Sequence, residues 1–304
     1  MAEAAKLTRL RSLLISVNGA LVEERYFRGA SAARAANIKS ASKSIISILV
    51  GIALDRGHIK SLQTPISVYF PDYLKGQPDK RAITIEDLLT MRSGIETTSN
   101  RNYGRWVQSA NWVRHILQRP MVDEPGGRMI YSTGTSHLLS AIVTKASGSS
   151  TLEYARRHLA APLGIGLGAW VRDPQGIYLG GNEMHMTPRD MVKIGEVYLN
   201  DGRRGDRQIV SANWVRESIK PRTTSEWSGR SYGYGWWIRT LGTQRVFYAW
   251  GYGGQFIFVI PDLRTVVVTT SVVEAGSERR EHLGGIYDLV ERQVIGAMGS
   301  SRIW

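Results

Sequence analysis

Hydrophobic and polar positions divide the chain into a strand-like start, a helix-rich middle and a strand-rich end. Residues Ser12 to Phe27 read SLLISV-NG-ALVEERYF, two β-prone runs around Asn18-Gly19, a pairing that predicts a tight hairpin. From Ser40 to Arg56 the chain is long and apolar, interrupted by Gly51 and closed by Gly57, which predicts a mostly buried helix. Between about residues 60 and 200, Thr84-Ile-Glu-Asp-Leu-Leu opens like a capped helix, and Ser109 to Leu117 and Ser136 to Lys145 carry apolar residues at helical spacing. Gly164-Ile-Gly-Leu-Gly-Ala169 follows Ala160-Ala-Pro-Leu rather than a strand, so it is expected to be a turn and not a dinucleotide loop.

After Asn200 the periodicity becomes that of strands, at Tyr234 to Thr240, Arg245 to Trp250, Gln255 to Ile260 and Thr265 to Val273, with turns at Gly251 to Gly254 and Pro261-Asp262. The segment Ser277 to Met298 closes the chain with Leu283, Ile286, Tyr287, Val290, Val294 and Ile295 on one helical face. This order predicts an α+β protein: an antiparallel sheet flanked by helices, built from residues 1–60 and 205–304, with a helical lobe, 61–204, inserted between them. A site is expected where the lobes meet.

Composition narrows the chemistry. With 42% hydrophobic and 21% charged residues among 304, the chain is globular and large enough to bury its own core. The absence of cysteine removes thiol nucleophiles, thiolate zinc sites and iron–sulfur clusters, and no cofactor is expected. The longest apolar run, Ile45 to Leu54, is far short of the ~20 residues that span a bilayer. The opening MAEAAKLTRLRSLL lacks the order of a signal peptide, leaving either a cytoplasmic protein or one whose signal was removed. The net charge of +13 raises the question of a polyanion, but the basic residues are scattered. Their densest knots, Arg203-Arg204 with Arg207 and Arg279-Arg280, sit among Asp201, Asp206, Glu278 and Glu281. They read as solvated surface, and no nucleic-acid-binding signature accompanies them.

Three short motifs carry candidate chemistry. Ser40-Ala-Ser-Lys43 is a Ser-x-x-Lys whose two side chains would share a helix face, ~4.5 Å apart along the axis. A neutral lysine can serve as base for a serine nucleophile, and reaching a pKa of 7 or 8 requires ~3–4 kcal/mol of destabilisation of the ammonium, which burial and a helix N-terminus both favour. Ser40 could equally be a helix N-cap. Tyr131-Ser-Thr133 precedes a helix; a phenol beside a cationic lysine could form a phenolate and relay protons, or the ring could simply pack in the core. Trp250-Gly-Tyr-Gly-Gly-Gln255 lies between strands, where glycines admit a close ligand and backbone N–H groups could form part of an oxyanion hole; a plain hairpin turn is the alternative. There is neither a Gly-x-Ser-x-Gly elbow nor a His-Glu-x-x-His zinc motif, and His185 between two methionines reads as packing.

Taken in this order, the motifs make the chain resemble the serine β-lactamase-related family, which includes class C β-lactamases, penicillin-binding DD-peptidases, esterases and 6-aminohexanoate-dimer hydrolases. Supporting stretches run from ISVNGALVEERYFRG through KSASKSIISILVGIALDRGHIKSLQTPISVYFP, LLTMRSGIE, PGGRMIYSTGTSHLLSAI and APLGI to MTPRDMVKIGEVYLNDG and WGYGGQFIFVIPD. The resemblance implies a β-lactamase/transpeptidase-like fold, Ser40 as acylated nucleophile, Lys43 as proton acceptor and Tyr131 as the tyrosine of a Tyr-x-Asn motif. It implies Tyr252-Gly253-Gly254 at the place of Lys-Thr-Gly, with the backbone N–H groups of Ser40 and Gln255 as oxyanion donors.

Thr133 stands where penicillin-recognising members have Asn, and Tyr252 where they have Lys. An amide clamp and a carboxylate-binding cation are then missing, which favours an ester or small-amide hydrolase over a β-lactamase or DD-peptidase. A non-catalytic ligand-binding homologue is the alternative of another class. Tyr103 and Trp106, on a loop before the Ser109 helix, and Trp236, Trp250 and Tyr252 are expected to line the cleft and suit an apolar group. The partner is a small-molecule ester or amide. Relatives of this kind are often exported, so a periplasmic or secreted location is expected if a signal has been removed, a cytoplasmic one otherwise; the oligomeric state stays open.

Overall fold

Residues 2–300 are described by a computed structural model. Asn18 and Gly19 both adopt positive φ, 52° and 80°, the geometry of a tight hairpin turn whose twist matches its strands. They join β1 (Leu10–Val17) to β2 (Ala20–Tyr26). The later strands are β3 (Thr223–Thr224), β4 (Ser231–Tyr232), β5 (Trp237–Leu241), β6 (Gln244–Gly251), β7 (Gln255–Ile260) and β8 (Thr265–Ser271). They form one antiparallel sheet in the order β2-β1-β8-β7-β6-β5-β4-β3, so the two ends of the chain share it through the β1–β8 pairing.

Both faces of the central strands are buried, which explains why β7 and β8 read as continuous rather than alternating apolar runs. The period of two still sorts the side chains. Leu14, Ile257, Val259, Val266 and Val268 join the core under the helices, while Leu13, Ile15, Phe256, Phe258 and Val267 join the core under the C-terminal helix.

Four helices position the cleft and its supports: α1 (Ser42–Asp55), α2 (Thr133–Ser147), α3 (Pro188–Leu199) and α4 (Arg279–Asp288). α1 is buried along nearly its whole length. Its two interior serines are satisfied by backbone carbonyls, Ser44 Oγ donating to Gly235 O and Ser47 Oγ to Tyr234 O, each at 2.6 Å. Gly51 lies against the Trp214 ring, where a Cβ would come within 2.4 Å. The isolated glycine in the predicted helix therefore marks a packing contact. α3 lies across the sheet, and Gly195 lets it approach Val266 and Ile257 closely.

Three boundaries differ from the sequence reading. The helix expected over Ser109–Leu117 starts at Trp112, because Asn111 caps it by accepting from Arg114 N; Tyr103 and Trp106 are not on a loop but on a short helix of their own, Tyr103–Val107. The strand expected from Tyr234 begins only at Trp237, because Gly233 and Gly235 turn the chain against Ser218 O and Lys43 O before β5 starts. The closing helix passes through a wider π-type segment at Leu289–Ile295. Among the described residues no helix is long and apolar enough to cross a membrane.

Candidate active site

Ser40 sits in a single 3-10 turn, Lys39–Ala41, at the entrance to α1. The residue before it, Lys39, is held in the left-handed region at φ 49°, a costly conformation for a residue with a side chain. Its neighbours hold it there. Lys39 N donates to Asn37 Oδ1 at 3.0 Å, its Nζ pairs with Glu183 at 2.7 Å, and Asn37 Nδ2 donates to the other oxygen of Glu183 at 2.6 Å. The N-cap of α1 is Ala41, with no side-chain cap, so Ser40 is not spent on capping and its hydroxyl is free for other chemistry.

Lys43 follows one helical turn later. Its ammonium group is 3.1 Å from Ser40 Oγ and also donates to Gly181 O at 2.8 Å and Thr133 Oγ1 at 3.3 Å. Only 4% of the residue is exposed, and none of its hydrogen-bond partners is a carboxylate. Burial lowers its pKa from the ordinary 10.5 to about 7, so a substantial neutral fraction exists near neutral pH. The Tyr131 ring lies beneath the same group, 4.9 Å from centroid to Nζ. Burial pushes its phenol up to about 12, opposed by a hydrogen bond with Ser40. Burial thus works against the phenolate reading of Tyr131 and in favour of a neutral amine at Lys43.

Thr133, at the start of α2, is a buried connector. Its hydroxyl meets both Lys43 and Ser99 Oγ, the latter at 3.1 Å, and its N–H donates to Ser99 Oγ at 2.9 Å. A cavity of about 820 Å³ opens over Ser40, Tyr131 and Thr133. Of the other residues singled out in the sequence, Tyr103, Trp250, Tyr252 and Gly253 line it.

Four do not. Trp106 and Trp236 are wholly buried: Trp106 packs on Tyr103, Trp112 and His137, and Trp236 donates from its indole to Tyr198 OH at 2.7 Å. Gly254 faces Ile286, Ser271 and His282 on the far side of the sheet. Gln255 is fully buried at the start of β7, its side chain donating to Tyr252 O and Ser271 O and accepting from Ser271 N; these side-chain bonds do not bear on its backbone N–H, the group named as oxyanion donor. Of this turn, Trp250, Tyr252 and Gly253 border the cavity. The turn is brought to the serine by Gly251, where a Cβ would lie 2.1 Å from Ile38 O.

Several lining residues escaped the sequence reading. Trp227, 63% exposed, joins Trp237 and Trp250 in an aromatic wall at ring separations of 5.4–5.8 Å. Asn182 donates to Tyr103 OH at 2.9 Å and keeps a buried side-chain oxygen without a partner. Arg279, read as part of a solvated knot, lies 4.5 Å over the Tyr252 ring and lines the cavity. The strand signals flanking Trp227 and the Gly180-Gly181 pair before Asn182 were visible in the chain; nothing in it pointed to Arg279.

A family model described as Beta-lactamase matches residues 11–286. The chain belongs to the β-lactamase family. A curated relative, the 6-aminohexanoate-dimer hydrolase of Paenarthrobacter ureafaciens, is 25% identical over 262 residues. The match takes in 77% of this chain but 65% of that protein, so the chain corresponds to less than two thirds of the relative's length. A solved structure from Bacillus anthracis, provisionally named a 6-aminohexanoate-dimer hydrolase, superposes with a TM-score of 0.82 at 20% identity, covering 97% of this chain and 82% of the other. A family VIII carboxylesterase superposes at 0.70 with 16% identity over 94% and 97% of the two chains. At these identities the structural matches establish the fold, a β-lactamase-family sheet flanked by helices.

Proposed function

We propose that this β-lactamase-family protein is a serine hydrolase cleaving carboxylic esters or small amides through an acyl-enzyme on Ser40. The observation that carries the proposal is a buried lysine, lowered to about 7, whose Nζ lies 3.1 Å from a serine hydroxyl at the floor of a cavity. Neutral Lys43 takes the Ser40 proton as Oγ attacks the carbonyl carbon. The tetrahedral oxyanion is met by backbone N–H groups. The backbone N–H groups of Ser40 and Gln255 are the donors we assign to it. Collapse of the intermediate breaks the ester or amide bond, and the proton reaches the leaving group from Lys43 through the neutral Tyr131 hydroxyl. Water then attacks the acyl-enzyme by the same route and restores Ser40.

The names of the matched proteins support the reading, one being a 6-aminohexanoate-dimer hydrolase and another a carboxylesterase. The Trp227, Trp237 and Trp250 wall suits an apolar acyl or leaving group. Arg279 adds a cation where Tyr252 offers none, so a substrate with a carboxylate at the end distant from the scissile bond is the form this cleft fits best. The same arginine is the one observation favouring a β-lactam or D-peptide as second reading, against Thr133 in the place of an amide clamp.

The test is initial rates on p-nitrophenyl butyrate and on nitrocefin for the native protein and folded Ser40→Ala. Ester turnover lost in the variant supports the proposal, nitrocefin turnover matching the ester rate reverses the substrate order, and ester turnover retained in Ser40→Ala refutes it.

A further inference from the structure

The titratable pair His137–Asp173 is completely buried, touches neither Ser40 nor the cavity, and has no part in the acyl transfer. His137 projects from α2 into a cage of two indoles, Trp106 and Trp112, with ring centroids 5.8 and 5.5 Å away. Its Nδ1 accepts a hydrogen bond from Gly180 N–H at 3.3 Å. That nitrogen therefore carries no proton, and Nε2–H donates to Asp173 Oδ2 at 3.1 Å. Asp173 is itself fixed, its other oxygen accepting from Gln175 N at 2.9 Å and Ile177 N at 2.8 Å.

Gly180 belongs to a strap that is anchored residue after residue. Tyr178 O accepts from Ser140 Oγ at 2.6 Å, Leu179 O from Trp170 Nε1 at 2.8 Å, and Gly181 O from Lys43 Nζ at 2.8 Å. The strap lies so close to its support that a Cβ at Gly180 would meet Ser136 O at 2.3 Å, and one at Gly181 would meet Lys43 Cγ at 2.8 Å. The groups facing Lys43 are then the Gly181 carbonyl, Ser40, Thr133 and Tyr131; the nearby charges, Lys39 and Glu183, are paired with each other.

We propose that His137 and Asp173 are positioning residues, which by fixing one imidazole tautomer hold the Gly180-Gly181 strap against Lys43, keeping its amine dry and aimed at Ser40. The inference rests on Lys43 acting as base for Ser40 and adds what sets its surroundings. The bond from Gly180 exists only in the tautomer that Asp173 selects. Asp173→Asn changes almost no volume, yet with its oxygen kept by the two backbone N–H groups it turns an amide donor towards Nε2. The imidazole proton then moves to Nδ1, where it opposes Gly180 N–H. Released from that bond, the strap admits water to Lys43. In His137→Asn the amide oxygen stands near the former Nδ1 and keeps an acceptor for Gly180.

The experiment compares the native protein, Asp173→Asn and His137→Asn, using p-nitrophenyl butyrate kinetics and the pH titration of the Lys43 side-chain resonances by NMR. In Asp173→Asn kcat is expected to fall by about tenfold or more with KM within about twofold, and His137→Asn to keep kcat within about threefold. The Lys43 midpoint in Asp173→Asn rises from about 7 towards the ordinary lysine value. A folded Asp173→Asn with native kcat and native Lys43 midpoint overturns the proposal, as does equal impairment of both variants with an unmoved midpoint. If the native protein shows no esterase activity, the hydrolase reading fails, and the Lys43 titration still decides the positioning role.

Discussion

Ser40 and Lys43 lie three residues apart where a 3-10 turn runs into one buried helix, whereas the wall they face is gathered from loops and ends around residues 97–103, 182–183, 227, 250–253 and 273–283. On the helix side Ser42, Ser44 and Ser47 each donate to a backbone carbonyl, and Lys43 alone makes three hydrogen bonds. The opposite side holds an exposed indole at Trp227, a buried Asn182 oxygen without a partner and an arginine stacked on a phenol. Reactive geometry is thus held on rigid elements and selectivity on connections, which can vary without disturbing the reacting atoms. Changes on the first side should remove rate, and changes on the second should redistribute affinity.

Ser40→Ala should break the helix side most completely, lowering kcat/KM for an ester by about 10³-fold or more while circular dichroism stays native. Lys43→Met should cost nearly as much rate, but its effect on stability has the opposite sign. An unfolded lysine holds its proton up to the ordinary 10.5, whereas the native one releases it near 7, so between these values the unfolded state binds more protons and stability rises with pH. Below pH 7 the native fold carries a penalty on the order of 5 kcal/mol that Met does not. Melting curves should therefore show Lys43→Met more stable than the native protein at pH 6, with the advantage shrinking by pH 9; an advantage that grows with pH would contradict the assignment.

Tyr131→Phe leaves the ring under Lys43 and removes one hydroxyl, and is expected to reduce kcat by about 10²-fold. With the phenol held up to about 12, no loss of rate from its ionisation should appear in a profile taken up to pH 10. The loop side should respond more gently. Arg279→Ala is expected to raise KM by about tenfold for an ester bearing a distal carboxylate and to leave its neutral counterpart within about twofold. Equal effects on both substrates would mean that the arginine only packs on Tyr252.

The same division explains how much is legible in the chain. Ser40 and Lys43 announce themselves through local spacing, since a helical turn gives a three-residue interval a shared face, whereas Tyr131 and Thr133 take their site roles only from the family resemblance. The hairpin at Asn18-Gly19, α1 and β7 are readable for similar reasons of short-range geometry. Trp106 and Trp236 read as cleft residues yet lie in the core, because an aromatic residue gives the same signal whether it lines a cavity or fills one; only packing separates the two. Gly254, read as a cleft residue from its motif, instead faces Ile286, Ser271 and His282, because a run of glycines does not announce which of its members turns towards the site. Arg279 and the His137–Asp173 pair depend on contacts between distant segments, the latter 36 residues apart, and no local pattern encodes them.

The most direct test of the central claim is the reaction of the protein with a fluorophosphonate, with the adduct located by peptide mass and its rate of formation followed from pH 5 to 9. A single adduct on Ser40 whose rate rises through a midpoint near 7 and then levels is the expected result, since the neutral Lys43 amine is the base. An adduct on another residue, or labelling of Ser40 at a rate independent of pH across that range, would contradict it.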